Sequence, residues 1–137
     1  MPVALKGINV VVLFVADVNR AKTFYRDTLG FPLQFEDPDS AYFQLTGTSL
    51  LLLSIAGAQD LLSNEAVASP GAPGAGSQLV AFVENVDAVH AELSAKGVEF
   101  IREPVDREWG MRTAHFKDPD GHIWELSQEL ARDSAGG

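Results

Sequence analysis

An α+β fold of two β-α-β-β-β modules in tandem is what this sequence predicts, and three observations predict it. A β-branched apolar run meets a helix-capping side chain twice, at Val15-Ala16-Asp17-Val18 and at Val83-Glu84-Asn85-Val86, 68 residues apart. Each junction opens a helical stretch that a glycine ends, Gly30 in one case and Gly97 in the other. Three strand-like segments then follow each glycine. The whole occupies 137 residues, 46% hydrophobic and 21% charged, which is ordinary globular usage and enough chain for one compact domain.

In order along the chain, Gly7 to Val15 is rich in Val, Ile and Phe and reads as a strand, with Asp17 as the N-cap of the helix behind it. Val18, Ala21, Phe24, Tyr25 and Leu29 recur at helical spacing, while Arg20, Lys22, Arg26 and Asp27 take the other face. Segments 31–35, 41–45 and 49–55 read as strands, separated by Asp37-Pro38-Asp39-Ser40 and Thr46-Gly47-Thr48. Residues from about 57 to 77, and 68–77 above all (ASPGAPGAGS), hold too few bulky apolar groups for a core and read as a linker. The second module starts at Gln78, with Asn85 or Asp87 capping a helix that turns Val86, Val89 and Leu93 inward. Segments 98–101, 111–117 and 123–128 complete it, and 129–137 reads as a tail.

Ten basic against nineteen acidic residues give a net charge of −9, a field that repels phosphate backbones, so nucleic acid is not an expected partner. Without cysteine there is no disulfide framework, thiolate nucleophile or zinc knuckle, which suits a cytoplasmic location. The apolar run 8–16 is about half the length a membrane span needs, and no small-x-small cleavage site follows it. No Gly-x-Ser-x-Gly elbow is present to support hydrolase chemistry.

The chain resembles the vicinal oxygen chelate superfamily, which holds glyoxalase I, extradiol dioxygenases, fosfomycin-modifying enzymes and bleomycin-resistance proteins. The resemblance covers about residues 7 to 128 and is carried by Val15-Ala16-Asp17-Val18, by Phe24-Tyr25-Arg26-Asp27-Thr28-Leu29-Gly30-Phe31, and by Asp118-Pro119-Asp120-Gly121-His122-Ile123-Trp124-Glu125-Leu126. It implies modules of about 7–56 and 78–128 whose curved mixed sheets surround a half-open cavity, helices outside, in a homodimer. In metal-dependent members the first and last strands of each module supply the ligands. Those positions are Val10, Leu52, Gln78 and Glu125 here, and only the last two have donor atoms.

Strand alternation sorts the second module into two faces. Leu79, Ala81, Val83, Ala114, Phe116, Trp124 and Leu126 form the helix-side face, leaving Gln78, Val80, Phe82, Thr113, His115, Ile123, Glu125 and Ser127 for the cavity. Asp118-Pro119-Asp120-Gly121 has the pattern of a type I turn with a glycine bulge, which pairs residues whose numbers sum to 240 and sets His115 opposite Glu125. A carboxylate beside an imidazole orients the ring and makes either a general base or a cation-recognising patch; the same pair also serves as a plain structural hydrogen bond. Val10, Val12, Phe14, Leu50 and Leu52 are the expected apolar wall of the first module. Trp109 is a ligand-stacking lid or loop packing, Arg112 closes an ion pair, and His90 and His122 lie away from the site.

Three functions compete. The first is a small-molecule-binding protein of the bleomycin-resistance type that takes a hydrophobic, cationic, antibiotic-like ligand without metal or other cofactor. The second is a lyase, isomerase or dioxygenase using His115 and Glu125 as acid–base groups, or holding a divalent metal with Gln78, His115 and Glu125. The third is an interaction domain with a vestigial cavity.

Overall fold

The computed structural model describes residues 6–68 and 76–131. The chain divides into two compact units, Met1–Ala72 and Pro73–Gly137, and each carries one β-α-β-β-β module. No helix among the described residues is long and apolar enough to cross a membrane.

The first unit runs β1 (Val10–Val15), α1 (Val18–Thr23), β2 (Leu33–Asp37), β3 (Ser40–Gln44), β4 (Ser49–Ser54) and α2 (Ile55–Leu61). Asp17 accepts from Arg20 N at 3.1 Å and caps α1 as expected. The helix then continues as a wider π-type turn over Phe24–Thr28, with Leu29 N bonded to Phe24 O, before Gly30 stops it at φ +77°. Its sheet order is β1-β4-β3-β2, the β1–β4 pair parallel and the others antiparallel. Tyr25 is fully buried, with its ring against Phe24, Phe31 and Phe43, and anchors the helix to the sheet.

The second unit repeats the plan as β5 (Gln78–Phe82), α3 (Val86–Ala95), β6 (Phe100–Asp106), β7 (Met111–Lys117) and β8 (Ile123–Glu129), in sheet order β5-β8-β7-β6. Asn85, not Asp87, is the cap of α3, accepting from Ala88 N at 3.0 Å. Phe116 and Trp124 stack nearly parallel, 6.3 Å between centroids, in the helix-side core with Ala114 and Leu126.

Two expectations change. The segment expected as linker from residue 57 begins inside α2, which the Ser54 hydroxyl caps by accepting from Gly57 N at 2.9 Å; the run Ile55-Ala56-Gly57-Ala58 is helical because that cap satisfies its first turn. Strand β6 is longer than 98–101 and reaches Asp106; its pairing to β7 shifts around Arg102 and Pro104, which an edge strand tolerates. Residues 69–75 of the expected linker and 132–137 of the expected tail lie outside the described residues.

Candidate functional site

Two hairpin turns set the second unit's site. At Asp118-Pro119-Asp120-Gly121, Asp118 N bonds His122 O at 2.9 Å, Gly121 N bonds Asp118 O at 3.0 Å, and Gly121 takes φ +89°. At Arg107-Glu108-Trp109-Gly110 the pattern recurs: Arg107 N to Met111 O at 2.7 Å, Gly110 N to Arg107 O at 3.1 Å, and Gly110 at φ +86°. A positive φ at the fourth residue is what glycine supplies at least cost, and it locks the strand register on either side.

The first of these turns pairs His115 with Glu125 and Phe116 with Trp124, as the expected register required. With the parallel β5–β8 register, in which Gln78 partners Ile123, Val80 partners Glu125 and Phe82 partners Ser127, one face collects Gln78, Val80, Phe82, Thr113, His115, Ile123, Glu125 and Ser127. Its apolar members Val80 and Phe82 are 48% and 78% exposed. His115 Nε2 stands 2.9 Å from Glu125 Oε1, and Gln78 Nε2 lies 3.5 Å from the same oxygen. The His115 and Glu125 side chains are only 14% and 16% exposed.

An ionised carboxylate can only accept, so the Nε2 nitrogen carries the shared proton, and in a neutral imidazole Nδ1 is then the ring's acceptor. That Nδ1 is buried without a hydrogen-bond partner among the described residues, a condition that typically costs about 1–3 kcal/mol. Glu125 itself is met by an imidazole and an amide; no lysine or arginine pairs with it among the described residues.

Around this centre, Arg112 bridges the start of α3 to the end of β6, with Nε 2.8 Å from Asp87 and Nη1 2.9 Å from Asp106. Hydrogen bonds to Asp87 and then Asp106 raise the Arg112 pKa further, and the Arg112 guanidinium holds the Asp87 carboxyl below its usual range. Arg112 is therefore the ion-pair residue that the sequence suggested. His90 pairs with Glu103 at 2.6 Å and packs edge-on against Phe100, outside the site. Trp109 is 69% exposed on its turn, with Arg107 Cζ 5.8 Å from the ring centroid. A groove of about 450 Å³ at the end of β5 and β8 touches this face at Phe82 and Ser127 but does not include His115 or Glu125.

The first unit corrects the expected wall. Val10, Val12 and Phe14 share a face, but the parallel register partners Val12 with Leu51 and Leu13 with Leu52. Leu50 and Leu52 therefore belong to the helix-side core, 1% and 0% exposed, and do not line the face of Val12. A shift of one residue turns a strand side chain to the opposite face, and Leu51 and Leu53 take the places expected of Leu50 and Leu52. Tyr42, opposite Leu51, and Phe35, opposite Tyr42, complete that face; none of these four was singled out from the sequence. In the second unit Arg107 was missed as well, although its Gly110 turn carries the same signature as the Gly121 turn.

With this geometry in view, the chain can be set beside known proteins. The family described as the Glyoxalase/Bleomycin resistance protein/Dioxygenase superfamily matches residues 7–126. YraH of Bacillus subtilis strain 168, described as uncharacterized, is 33% identical over 121 residues, covering 86% of this chain and 94% of its own. YetH of the same strain, also described as uncharacterized, is 30% identical over 131 residues, covering 90% and 99%. Among solved structures, a glyoxalase/bleomycin resistance protein/dioxygenase from Nocardioides superposes with a TM-score of 0.84 at 25% identity, covering 99% of this chain and 91% of that one. The two-module architecture and these matches agree: the chain belongs to the Glyoxalase/Bleomycin resistance protein/Dioxygenase superfamily.

The superfamily often uses a metal, and the donor set here does not fit one. The cluster at Glu125 offers one imidazole, one carboxylate and one amide, with the first two already bonded to each other. No group of three His, Asp or Glu side chains that could hold a metal occurs among the described residues. In the first unit the register places Leu51, not Leu52, at the position matching Glu125, and Val10 at that of Gln78; neither has a donor atom. A divalent ion ordinarily wants at least three good protein donors.

Proposed function

We propose that the protein binds a small, hydrophobic, cationic organic molecule of the antibiotic type, without a metal, in the manner of the superfamily's resistance proteins. The observation that carries the reading is Glu125. Its carboxylate is largely buried, has only an imidazole and an amide as partners, and shares its face with the exposed apolar side chains Val80 and Phe82. Buried carboxylates are normally matched by a cation, and a ligand ammonium on an apolar body supplies both the charge and the cover for that face. The net charge of −9 adds long-range attraction for such a ligand. The reading includes a cytoplasmic homodimer as the working assembly.

Titration with a cationic aromatic dye tests it. Binding is expected to weaken as salt rises, to survive chelator, and to drop on the order of tenfold in Glu125→Gln, which removes one charge-assisted contact. Indifference to every cationic aromatic probe would overturn it.

The His115–Glu125 pair favours a second reading, a metal-independent isomerase or lyase in which the two side chains supply the acid–base chemistry. Such an enzyme loses turnover in both His115→Gln and Glu125→Gln. Unchanged turnover in either variant would end that reading.

A further inference from the structure

The face that holds Glu125 also holds cations with no carboxylate against them, and one of these, Arg107, is fixed in place by a side-chain hydrogen bond. Arg107 opposes Met111 across the Gly110 turn, while Val105 opposes Thr113 and Glu125 opposes His115, so Arg107, Thr113 and His115 lie on one side of the sheet. Arg107 donates from Nε to Thr113 Oγ1 at 3.0 Å, and Thr113 is buried beneath it. The Arg107 Cζ lies over the Trp109 ring, 5.8 Å from the centroid. With Nε held by Thr113, Nη1 and Nη2 remain as a planar pair of donors for a ligand.

Fixation rather than charge alone makes this position stand out. Nineteen acidic residues outnumber ten basic ones, and Arg26 and Arg112 both pair with aspartates. Among the described residues Arg107, like Arg102 opposite His115 and Lys117 opposite Ile123, pairs with no carboxylate, but of these three Arg107 is the one fixed by a side-chain hydrogen bond, to Thr113. Thr113, which holds Arg107, and His115, which holds Glu125, are one same-face strand step of about 7 Å apart, a length on the scale of one small ligand.

We propose that Arg107 is an anion-recognising residue of this face, that its Nη1 and Nη2 clasp a carboxylate, and that the ligand is amphoteric, with its basic group at Glu125 and a planar part beside Trp109. The proposal rests on the binding reading above and deepens it. A carboxylate suits the fork because its two coplanar oxygens match two parallel N–H donors.

Three matched probes test it by calorimetry on the full chain: 4-methylbenzylamine, 4-methylbenzoate and 4-(aminomethyl)benzoate. The amphoteric probe is expected to bind tightest. Arg107→Gln weakens both carboxylates about tenfold and strengthens the amine, because a like charge is gone; Arg107→Lys, which keeps the charge without the fork, restores only part of the carboxylate affinity. Far-UV circular dichroism confirms that the variants fold. Carboxylate affinities unchanged in Arg107→Gln, or an amine that binds while neither carboxylate gains from its acid group, would overturn the Arg107 assignment alone. If none of the three probes binds, the assignment and the cation-binding reading fall together.

Discussion

The two units share one scaffold and differ on one face of it. Through the registers, the core-side pairs Phe43–Leu50 and Ala41–Leu52 of the first unit correspond to Phe116–Trp124 and Ala114–Leu126 of the second. These are apolar in both units and buried in both. On the opposite face the row Val12, Leu51, Tyr42, Phe35 corresponds to Val80, Glu125, His115, Arg102. The Tyr42 hydroxyl donates to Ser49 Oγ at 2.6 Å, so the donor of the first unit's row is used and the row carries neither a carboxylate nor an imidazole. The comparison teaches that packing against the helices constrains one side of the repeat, whereas the other side is open to divergence into an apolar wall and a charged one.

The largest expected effect tests the shared half of that statement. Phe43→Ala and Phe116→Ala each delete a buried ring of the helix-side core and should destabilise their units by similar amounts, about 3–5 kcal/mol, in urea unfolding. A loss confined to one of the two would show that the cores are not equivalent. The Phe116 site has the added stack on Trp124, so any asymmetry should run toward a greater loss there.

The divergent half is sharpened by taking the second unit's row toward the first's. His115→Leu alone strands the Glu125 carboxylate and should cost about 3 kcal/mol, whereas His115→Leu with Glu125→Leu removes both groups and should come close to neutral. The non-additivity is the diagnostic, read from a double-mutant cycle by urea unfolding. Additive losses would mean that His115 and Glu125 contribute independently and that their contact carries no coupling energy.

How much of this was legible in the sequence depended on whether a local turn sets the register. The face holding His115 and Glu125 could be read residue by residue because the Gly121 turn joins β7 directly to β8. The β1–β4 pairing is parallel and joins segments separated by a helix and two strands, so no short-range signal distinguishes Leu51 from Leu52. Both are leucines in the run Leu50-Leu51-Leu52-Leu53, where alternation is silent. Arg107 was legible in principle, from the glycine at the fourth position of its turn, but a cation beside an exposed tryptophan resembles ordinary surface until the Thr113 contact fixes it. Helix α2 was hidden by its Ala and Gly content, which propensity alone does not separate from a linker.

The smallest expected effect concerns a feature of the second unit, the Arg112 bridge between α3 and β6. Its Asp87 carboxyl is held below the usual carboxylate range by the hydrogen bonds from Arg112. A depressed folded-state pKa means that the unfolded chain binds the proton more readily, so the contribution is present in full above about pH 4 and fades as pH falls through the folded value. Arg112→Gln should therefore lower the thermal midpoint slightly at neutral pH, with the difference between variant and parent shrinking as Asp87 protonates in both. Salt should shrink the same difference at pH 7, because the aspartates are solvent-facing. A difference that does not shrink as the pH is lowered through the Asp87 titration would show that Arg112 acts through packing of its aliphatic stem between α3 and β6 rather than through its charge.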